Sequence, residues 1–308
     1  MTASATPSAA VGLVLGAPAL CGPGTPAVTD LLALAEAADA AGAASVWLTE
    51  GVLAPSGPPR PRRADPVTLA GAVAVRTASV TVAAVLGVTG RHPAVATKQL
   101  TAVDVLAHGR AVLCFDPVGA DAELLGEALA VSRALADGGP ARLAGRHLVI
   151  EGATNLPRPP RPGGLALWCR LQHPGDVAPA VAGRVEGVLL DGDRPERVAD
   201  LLDRLDDAGD GGRRPRRIVR SAGTLGAGSG ELARRLPDAV AARVDGMVLD
   251  AWAPGVPFDL RQAVAALAAV VDGGPRDRWR QPPEQRQPPE QRQPPEQRQP
   301  PEQRQPPE

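Results

Sequence analysis

The sequence alternates eight times, between residues 11 and 271, between a short apolar segment and a longer segment rich in Ala and Leu. Short hydrophobic strands separated by helical segments of roughly 10–15 residues are typical of βα units around a parallel sheet. Eight such units in about 260 residues match the size of a (β/α)8 barrel. We therefore predict an α/β fold, a (β/α)8 TIM barrel, with its functional groups where the strands end.

One segment interrupts this alternation between the fourth helix and the fifth strand. Residues 145–162 contain a single strand-like run, HLVIEG, and a cluster of prolines. We interpret this segment as a short insertion after the fourth βα unit that covers a barrel face. The predicted strands are residues 11–16, 45–49, 79–86, 110–115, 165–169, 187–190, 216–222 and 246–250.

The C-terminal residues differ in composition from the rest of the chain. From Gln281 the hexapeptide QPPEQR repeats up to Glu308. Proline-rich polar segments stay extended and solvated because they have little apolar surface to bury. We predict a disordered N-terminus over residues 1–10, a barrel over 11–274 and a disordered tail over 275–308. The tail either recruits a partner that recognises polyproline or is an expanded repeat without a role.

The charge balance argues against some classes of partner. The chain has 33 Lys and Arg against 34 Asp and Glu, and the repeats hold four Arg and five Glu, so the remainder is formally neutral. A neutral body disfavours nucleic acid and anionic membranes as partners. The sequence lacks an apolar run of about 18 residues and the charged and apolar regions of a signal peptide. Three cysteines do not suggest a disulfide framework, and we expect a cytoplasmic protein.

Polar residues after the second and third strands are the candidates for catalysis. Glu50 directly follows the second strand, where a carboxylate serves as acid, base or hydrogen-bond acceptor. Alternatively, Glu50 caps the next turn or pairs with an arginine of residues 60–63. His92 follows the third strand and titrates near neutrality if it faces the cleft. The alternative for His92 is a local hydrogen bond at the start of the third helix.

Other motifs carry less information about function. Residues 223–230 (GTLGAGSG) follow the seventh strand and form either a phosphate-binding loop or a plain turn. Cys114 and Cys169 lie in apolar strands, which predicts buried, unreactive thiols. No His, Cys, Asp or Glu residues have the spacing of metal ligands.

Four stretches of the sequence resemble a known family. On these stretches the chain is similar to the luciferase-like monooxygenase superfamily, and within it to the oxidoreductases that depend on coenzyme F420 or FMN. The most specific stretch has RHP after the third strand, then a helix with Lys98, Gln99, Thr101 and Asp104, and then GR before the fourth strand. The similar stretches are residues 31–50, 65–115, 143–168 and 183–208.

The resemblance implies a TIM barrel that binds reduced FMN or F420 at the strand ends. It implies hydride transfer or oxygen activation on a small organic substrate, and a possible homodimer. Thr49 and Glu50 stand where the family has a side chain that faces the cofactor ring. Gly87, Val88 and Thr89 match the end of the third strand, whose backbone packs against that ring.

The sequence departs from the family pattern after two strands. Residues 115–119 (FDPVG) replace a glycine-rich turn after the fourth strand. Residues 169–174 (CRLQHP) replace the small residues that hold the cofactor phosphate, which leaves Arg170 to bind it by charge. The alternative hypothesis is therefore a non-catalytic barrel that acts as a binding or interaction protein. Side chains around Phe115 and Leu171 that plug the barrel mouth would support that alternative.

Overall fold

The computed structural model describes residues 10–15, 27–50, 64–208, 214–224, 238–251 and 259–273. Within these ranges eight parallel strands close into one barrel, which confirms the predicted (β/α)8 architecture. The barrel strands are β1 (Ala10–Val14), β2 (Ser45–Thr49), β3 (Thr81–Gly87), β4 (Ala111–Asp116), β7 (Ala166–Leu171), β8 (Gly187–Asp191), β9 (Arg216–Thr224) and β10 (Gly246–Asp250). Their order around the barrel is β1-β10-β9-β8-β7-β4-β3-β2.

Helices connect consecutive barrel strands and begin at the residues that favour helix starts. Asp65 accepts a hydrogen bond from the Thr68 amide at 2.8 Å, and Pro66 follows it as the first helical residue. An aspartate cap followed by proline satisfies a free amide and presets the backbone dihedral. The helices are α1 (Val28–Ala40), α2 (Pro66–Arg76), α3 (Pro93–Leu106), α4 (Ala122–Ala136), α5 (Val177–Ala182), α6 (Pro195–Asp207) and two further helices, Asp238–Ala241 and Leu260–Gly273.

Alternate residues of each strand belong to two different apolar layers. One layer packs against the helices and contains Leu113, Phe115 and Leu171 together with helical side chains. The other layer fills the barrel interior, because it takes buried residues from all eight barrel strands and none from a helix. Side chains of a strand point alternately to its two faces. Membership of one layer or the other therefore tells which residues of each strand point into the barrel.

Two tryptophans occupy most of the barrel interior. The rings of Trp47 and Trp168 meet edge to face with their centroids 5.4 Å apart. The Trp168 ring lies over Gly187, where an added Cβ would come within 2.3 Å of it. The indole N–H of Trp47 donates to the Ser45 hydroxyl at 2.7 Å. A Cβ added at Gly12 would lie 2.2 Å from that hydroxyl, so position 12 has room only for glycine. The two glycines therefore make space for the indoles.

The insertion is a β-hairpin and not the single strand that the sequence suggested. Its strands, β5 (Ala141–Ala144) and β6 (Val149–Ala153), are antiparallel. Ala141 and Ile150 pack against buried residues of α4, so the hairpin lies on the outer helices and does not close an end of the barrel. The Glu127 carboxylate accepts the backbone amides of Arg146 and Leu148 at 2.6 and 2.7 Å and holds the hairpin turn.

The α3 motif that carries the family resemblance has a structural role. Thr101 accepts a hydrogen bond from the Asn155 amide at 2.7 Å, and Asp104 accepts the Ala111 amide at 2.8 Å. Lys98 donates to the carbonyl of Leu156. These contacts hold the chain after the hairpin against α3 and fix the start of β4. They lie at the N-terminal side of the strands, where barrel residues contribute to stability.

The predicted ends of the barrel domain lie at the limits of the described residues. The first strand begins at Ala10, the last residue of the predicted disordered segment 1–10, and residues 1–9 and 275–308 lie outside the described residues. In the part of the chain that the structure describes, no helix has the length and apolar character needed to cross a membrane. The same part contains no group of three or more His, Cys, Asp or Glu residues arranged for a metal ion.

Candidate functional site at the barrel mouth

The C-terminal end of the barrel carries a layer of inward-facing residues above the apolar interior. Each follows, two positions along its strand, a buried interior residue such as Trp168, Cys114 or Val248. Because the side-chain period of a strand is two, these residues face the barrel mouth. The layer consists of Thr49, Gly87, Asp116, Arg170, Asp191, Arg220 and Asp250.

Arg170 is the centre of a charged network in this layer. Its Nη1 donates to Asp116 Oδ2 at 2.7 Å, and its Nη2 donates to Asp191 Oδ2 at 2.6 Å. The three residues lie on β4, β7 and β8, and only 20% of the Arg170 side chain is exposed. Burial opposes the charge of Arg170, but the two carboxylates outweigh it and raise the pKa of the guanidinium.

A second ion pair continues the network across the mouth. Arg220 of β9 donates from Nε and Nη2 to the Asp250 carboxylate of β10 at 2.9–3.1 Å. Burial raises the pKa of Asp250 although Arg220 favours its charged form, and the charge of Asp191 raises it further. The cluster thus holds three carboxylates and two guanidinium groups.

The chain directly after β7 is also held by carboxylates. The side-chain amide of Gln172 donates to Asp116 Oδ1 at 2.9 Å. The backbone amides of Gln172 and His173 both donate to Asp176 Oδ2 at 2.8 Å. Asp176 is buried, so the carboxylate that accepts these two amides is largely shielded from solvent.

The other half of the mouth carries no charge in its inward layer. There the strand ends present Thr49 on β2 and Gly87 on β3. Among the described residues, the atoms nearest to a Cβ added at Gly87 would be Glu50 Oε2 at 3.7 Å and the Gly90 backbone nitrogen at 3.9 Å, so the described neighbours leave room for a small side chain there. Phe115 and Leu171 are buried in the layer that packs against the helices and do not plug the mouth.

Glu50 lies at the edge of this open half. Its Oε2 accepts the Gly87 backbone amide at 3.0 Å, and its Oε1 lies 3.6 Å from the Arg91 guanidinium. The sequence suggested an arginine of residues 60–63 as an alternative partner, and that loop is outside the described residues. The arginine that the structure places near Glu50 is Arg91, which also pairs with Asp65. The Glu50 side chain is one quarter exposed and reaches solvent.

The remaining predicted residues lie farther from the inward layer. His92 is exposed at the start of α3, where its Nδ1 accepts the Ala94 amide at 3.2 Å, as the alternative interpretation of this residue proposed. Val88 is buried against the helices, and the exposed Thr89 donates to the Val118 carbonyl at 3.4 Å. Their roles in catalysis and cofactor binding stay predictions.

Two other groups of predicted residues have different outcomes. Cys114 and Cys169 are buried free thiols, as predicted, and burial raises the pKa of both. Of the glycine-rich segment 223–230, the structure describes only the backbone of its first two residues, at the end of β9, and the rest is outside the described residues.

Sequence reasoning assigned no role to several residues of the mouth. These residues are Asp116, Asp191, Asp250, Arg220 and Asp176. Counting two positions along each strand from its last interior apolar residue identifies the first four, because inward residues alternate with helix-facing ones. Their mutual pairing has no signal in the sequence, since it depends on which strands are neighbours.

Comparison with known proteins agrees with this architecture. The sequence matches the family described as luciferase-like monooxygenase over residues 10–296. No curated protein matches the chain. A solved structure of the monooxygenase RslO1 from Streptomyces bottropensis is 18% identical with a TM-score of 0.67, covering 85% of this chain and 98% of its own.

Two other solved structures share the fold. The coenzyme F420-dependent tetrahydromethanopterin reductase from Methanopyrus kandleri is 14% identical with a TM-score of 0.63, covering 85% of this chain and 97% of its own. The EDTA monooxygenase from Chelativorans sp. BNC1 is 16% identical with a TM-score of 0.54, covering 78% of this chain and 67% of its own. The family match extends over the whole barrel, and the members of this family are enzymes of the oxidoreductase class. The chain therefore belongs to the luciferase-like monooxygenase family.

Proposed function

We propose that this enzyme binds a reduced flavin or deazaflavin, FMN or coenzyme F420, at the barrel mouth and uses it to oxidise or reduce a small organic substrate. The observation that carries the proposal is the division of the mouth into a half at β2 and β3, whose inward strand ends are the uncharged Thr49 and Gly87, and a hydrogen-bonding half from β4 to β10. The ring of FMN has an apolar dimethylbenzene edge, the ring of F420 carries a hydroxyl on the corresponding edge, and both have an opposite edge of carbonyl and N–H groups. The two halves offer each edge a matching environment.

The residues present fit such a ring. Gly87 presents no side chain at the end of β3, and Thr49 contributes a hydroxyl without charge. Arg170 and Arg220 supply donors and the three aspartates supply acceptors on the opposite side. The apolar interior below, with Trp47 and Trp168, excludes water from the underside of the ring.

The bound ring supplies the redox chemistry, either transfer of a hydride or activation of oxygen. The chain's own groups hold and orient the ring and its substrate. Glu50 is placed to move a proton, because its carboxylate is fixed by the Gly87 amide and still reaches solvent. Arg170 with Asp116 and Asp191, and Arg220 with Asp250, form the hydrogen-bonding side of the mouth, where partial burial strengthens electrostatic interactions with a ligand.

Titration of the purified full-length protein with FMN and with F420 tests this function. We expect micromolar binding of one of the two, followed as a change in the fluorescence of the ligand. Substitution of Gly87 by valine adds a branched side chain at the end of β3 and is expected to abolish binding while the circular dichroism spectrum is retained. Absence of binding of both compounds would favour the alternative of a barrel that binds other molecules without catalysis.

A further inference from the structure

Four groups after β7 are suited to bind an anion such as a phosphate. They are the Arg170 guanidinium, the Gln172 side-chain amide and the backbone N–H groups of Gln172 and His173. Arg170 and the Gln172 side chain donate to Asp116, and Arg170 also donates to Asp191, at 2.6–2.9 Å. The two Nη atoms of Arg170 and the Gln172 side chain are therefore already bound to carboxylates of the chain, while the buried Arg170 Nε has no hydrogen-bond partner among the described residues.

Asp176 occupies the two backbone groups in the same way. Both N–H groups donate to one oxygen of its carboxylate at 2.8 Å, and Asp176 is only 8% exposed. A carboxylate three residues after the first residue of a turn commonly reaches back to that residue's amide. The place after β7 where these two N–H groups would bind an anion, called here the anion position, is therefore occupied by the Asp176 carboxylate.

The local charge also opposes a phosphate at this place. The Asp116 and Asp191 carboxylates accept from the Arg170 guanidinium, and the Asp176 carboxylate accepts the backbone amides of Gln172 and His173. A phosphate ester carries a charge of about −1.5 to −2 at neutral pH and must compete for donors that are already engaged. Like charges a few ångströms apart in a partly buried site repel each other strongly.

We propose that the segment 170–173 does not hold the phosphate of a ring ligand and favours the unphosphorylated form, a tricyclic ring with a sugar-alcohol side chain, over the phosphorylated one, because the segment is bound to the chain's own carboxylates. Arg170 then forms part of the mouth next to the ring and does not bind a phosphate. The inference rests on the proposed function, since it concerns which form of the ring compound binds at the same mouth.

Paired titrations of the full-length protein test this inference. The pairs are riboflavin against FMN, and the F420 ring compound without its phosphate against F420, each followed by ligand fluorescence. We expect the unphosphorylated member of a pair to bind more tightly by about threefold or more at low salt, and the difference to shrink as salt screens the repulsion. Tighter binding of the phosphorylated member, reduced selectively by Arg170→Met, would overturn the inference.

Asp176→Asn isolates the contribution of the carboxylate charge. The variant keeps the size of the side chain and one oxygen acceptor for the two amides. We expect it to bind the phosphorylated compound more tightly and the unphosphorylated one equally well. Asp207→Asn, the same change at an exposed position of α6, is the matched control and should leave both affinities unchanged.

A measurement without any cofactor separates this inference from the proposed function. Amide hydrogen exchange of Gln172 and His173 in the wild-type protein should be slow and should not change when inorganic phosphate is added. Additional protection by phosphate would show that the position is free to bind it and would contradict the inference. If none of the ring compounds binds, the proposed function fails, whereas the exchange experiment still decides whether the anion position is occupied.

Discussion

Arg170 shows how single residues place charge above an apolar barrel interior. Two neighbouring strands supply the carboxylates that accept its Nη groups, and Trp168 lies two residues before it on the same strand. Removing a guanidinium from water costs free energy that is recovered only when its hydrogen bonds are made in good geometry. The aspartates at the ends of β4 and β8 are therefore required for an arginine at the end of β7.

Replacing Arg170 by methionine should destabilise the fold. The change leaves Asp116 and Asp191 without their shared partner, and we expect a loss of about 2–4 kcal/mol, below the value for a fully buried pair because the site is partly exposed. Urea denaturation measures the free energy of unfolding. Arg204→Met, which removes an exposed pair within α6, is the control and should cost less than about 1 kcal/mol. Equal losses in the two variants would show that the Arg170 network contributes no more than a surface pair.

Replacing Glu50 by glutamine should reduce turnover while the fold is retained. The glutamine oxygen can still accept the Gly87 amide, but the side chain no longer exchanges a proton, and general acid–base groups contribute roughly 10²–10⁴-fold to rate. Steady-state kinetics with the cofactor identified by titration measure the effect. Unchanged kcat and KM would remove Glu50 from the site.

The entry to several barrel strands is held by carboxylates on the side opposite the mouth. Asp39 accepts the amides of residues 78–80, Asp104 accepts that of Ala111, and Glu186 accepts that of Leu167 at 2.7 Å. Backbone amides at the start of a strand lie before its first hydrogen bond to a neighbouring strand, so they need another acceptor when they are buried. These carboxylates meet that need at β3, β4 and β7, so the N-terminal ends of the strands contribute to stability and the C-terminal ends to the site.

The contribution of Asp39 should depend on pH. Burial favours the protonated form, but the hydrogen bonds from Ala78, Ser79 and Val80 outweigh it and hold the pKa of Asp39 below its usual value. A carboxyl with a lower pKa in the folded state stabilises the protein above the unfolded-state pKa of about 3.9 and loses this effect as the pH falls through the folded-state pKa.

Comparison of the wild type with Asp39→Asn measures this contribution. We expect the variant to be less stable by about 1–3 kcal/mol at neutral pH, because hydrogen bonds from three successive backbone amides to a charged acceptor are weakened or lost. Denaturation between pH 7 and pH 2 should give a constant difference down to about pH 5 and a shrinking one below about pH 4. A difference that grows on acidification would contradict the lowered pKa.

At the scale of the whole molecule, the barrel mouth is electrically asymmetric although the chain outside the repeats is formally neutral. The charged residues of the inward layer are on β4 and β7–β10, whereas β2 and β3 contribute Thr49 and Gly87. A ligand in the mouth is therefore oriented by which of its edges carries hydrogen-bonding groups. The homodimer implied by the family resemblance stays a prediction.

Deletion of residues 281–308 should leave folding and activity unchanged if the repeat is an expansion without a role. The repeat contains no aliphatic or aromatic side chain to contribute to the barrel core, and its charges nearly cancel. Thermal denaturation and the titrations described above compare the two forms of the protein. Reduced ligand affinity or stability of the shortened form would show that the tail interacts with the barrel.

The sequence by itself determined the barrel, because eight repeats of a period-two strand and an amphipathic helix have few other ways to bury their apolar faces. It also located the mouth and the candidate residues at the strand ends, including Glu50 and Gly87. Only the tertiary structure decided that Arg170 pairs with Asp116 and Asp191 and that Asp176 fills the anion position after β7. Residues 54 and 21 positions from Arg170 meet it because barrel closure makes β4, β7 and β8 neighbours, and local patterns carry no record of that adjacency.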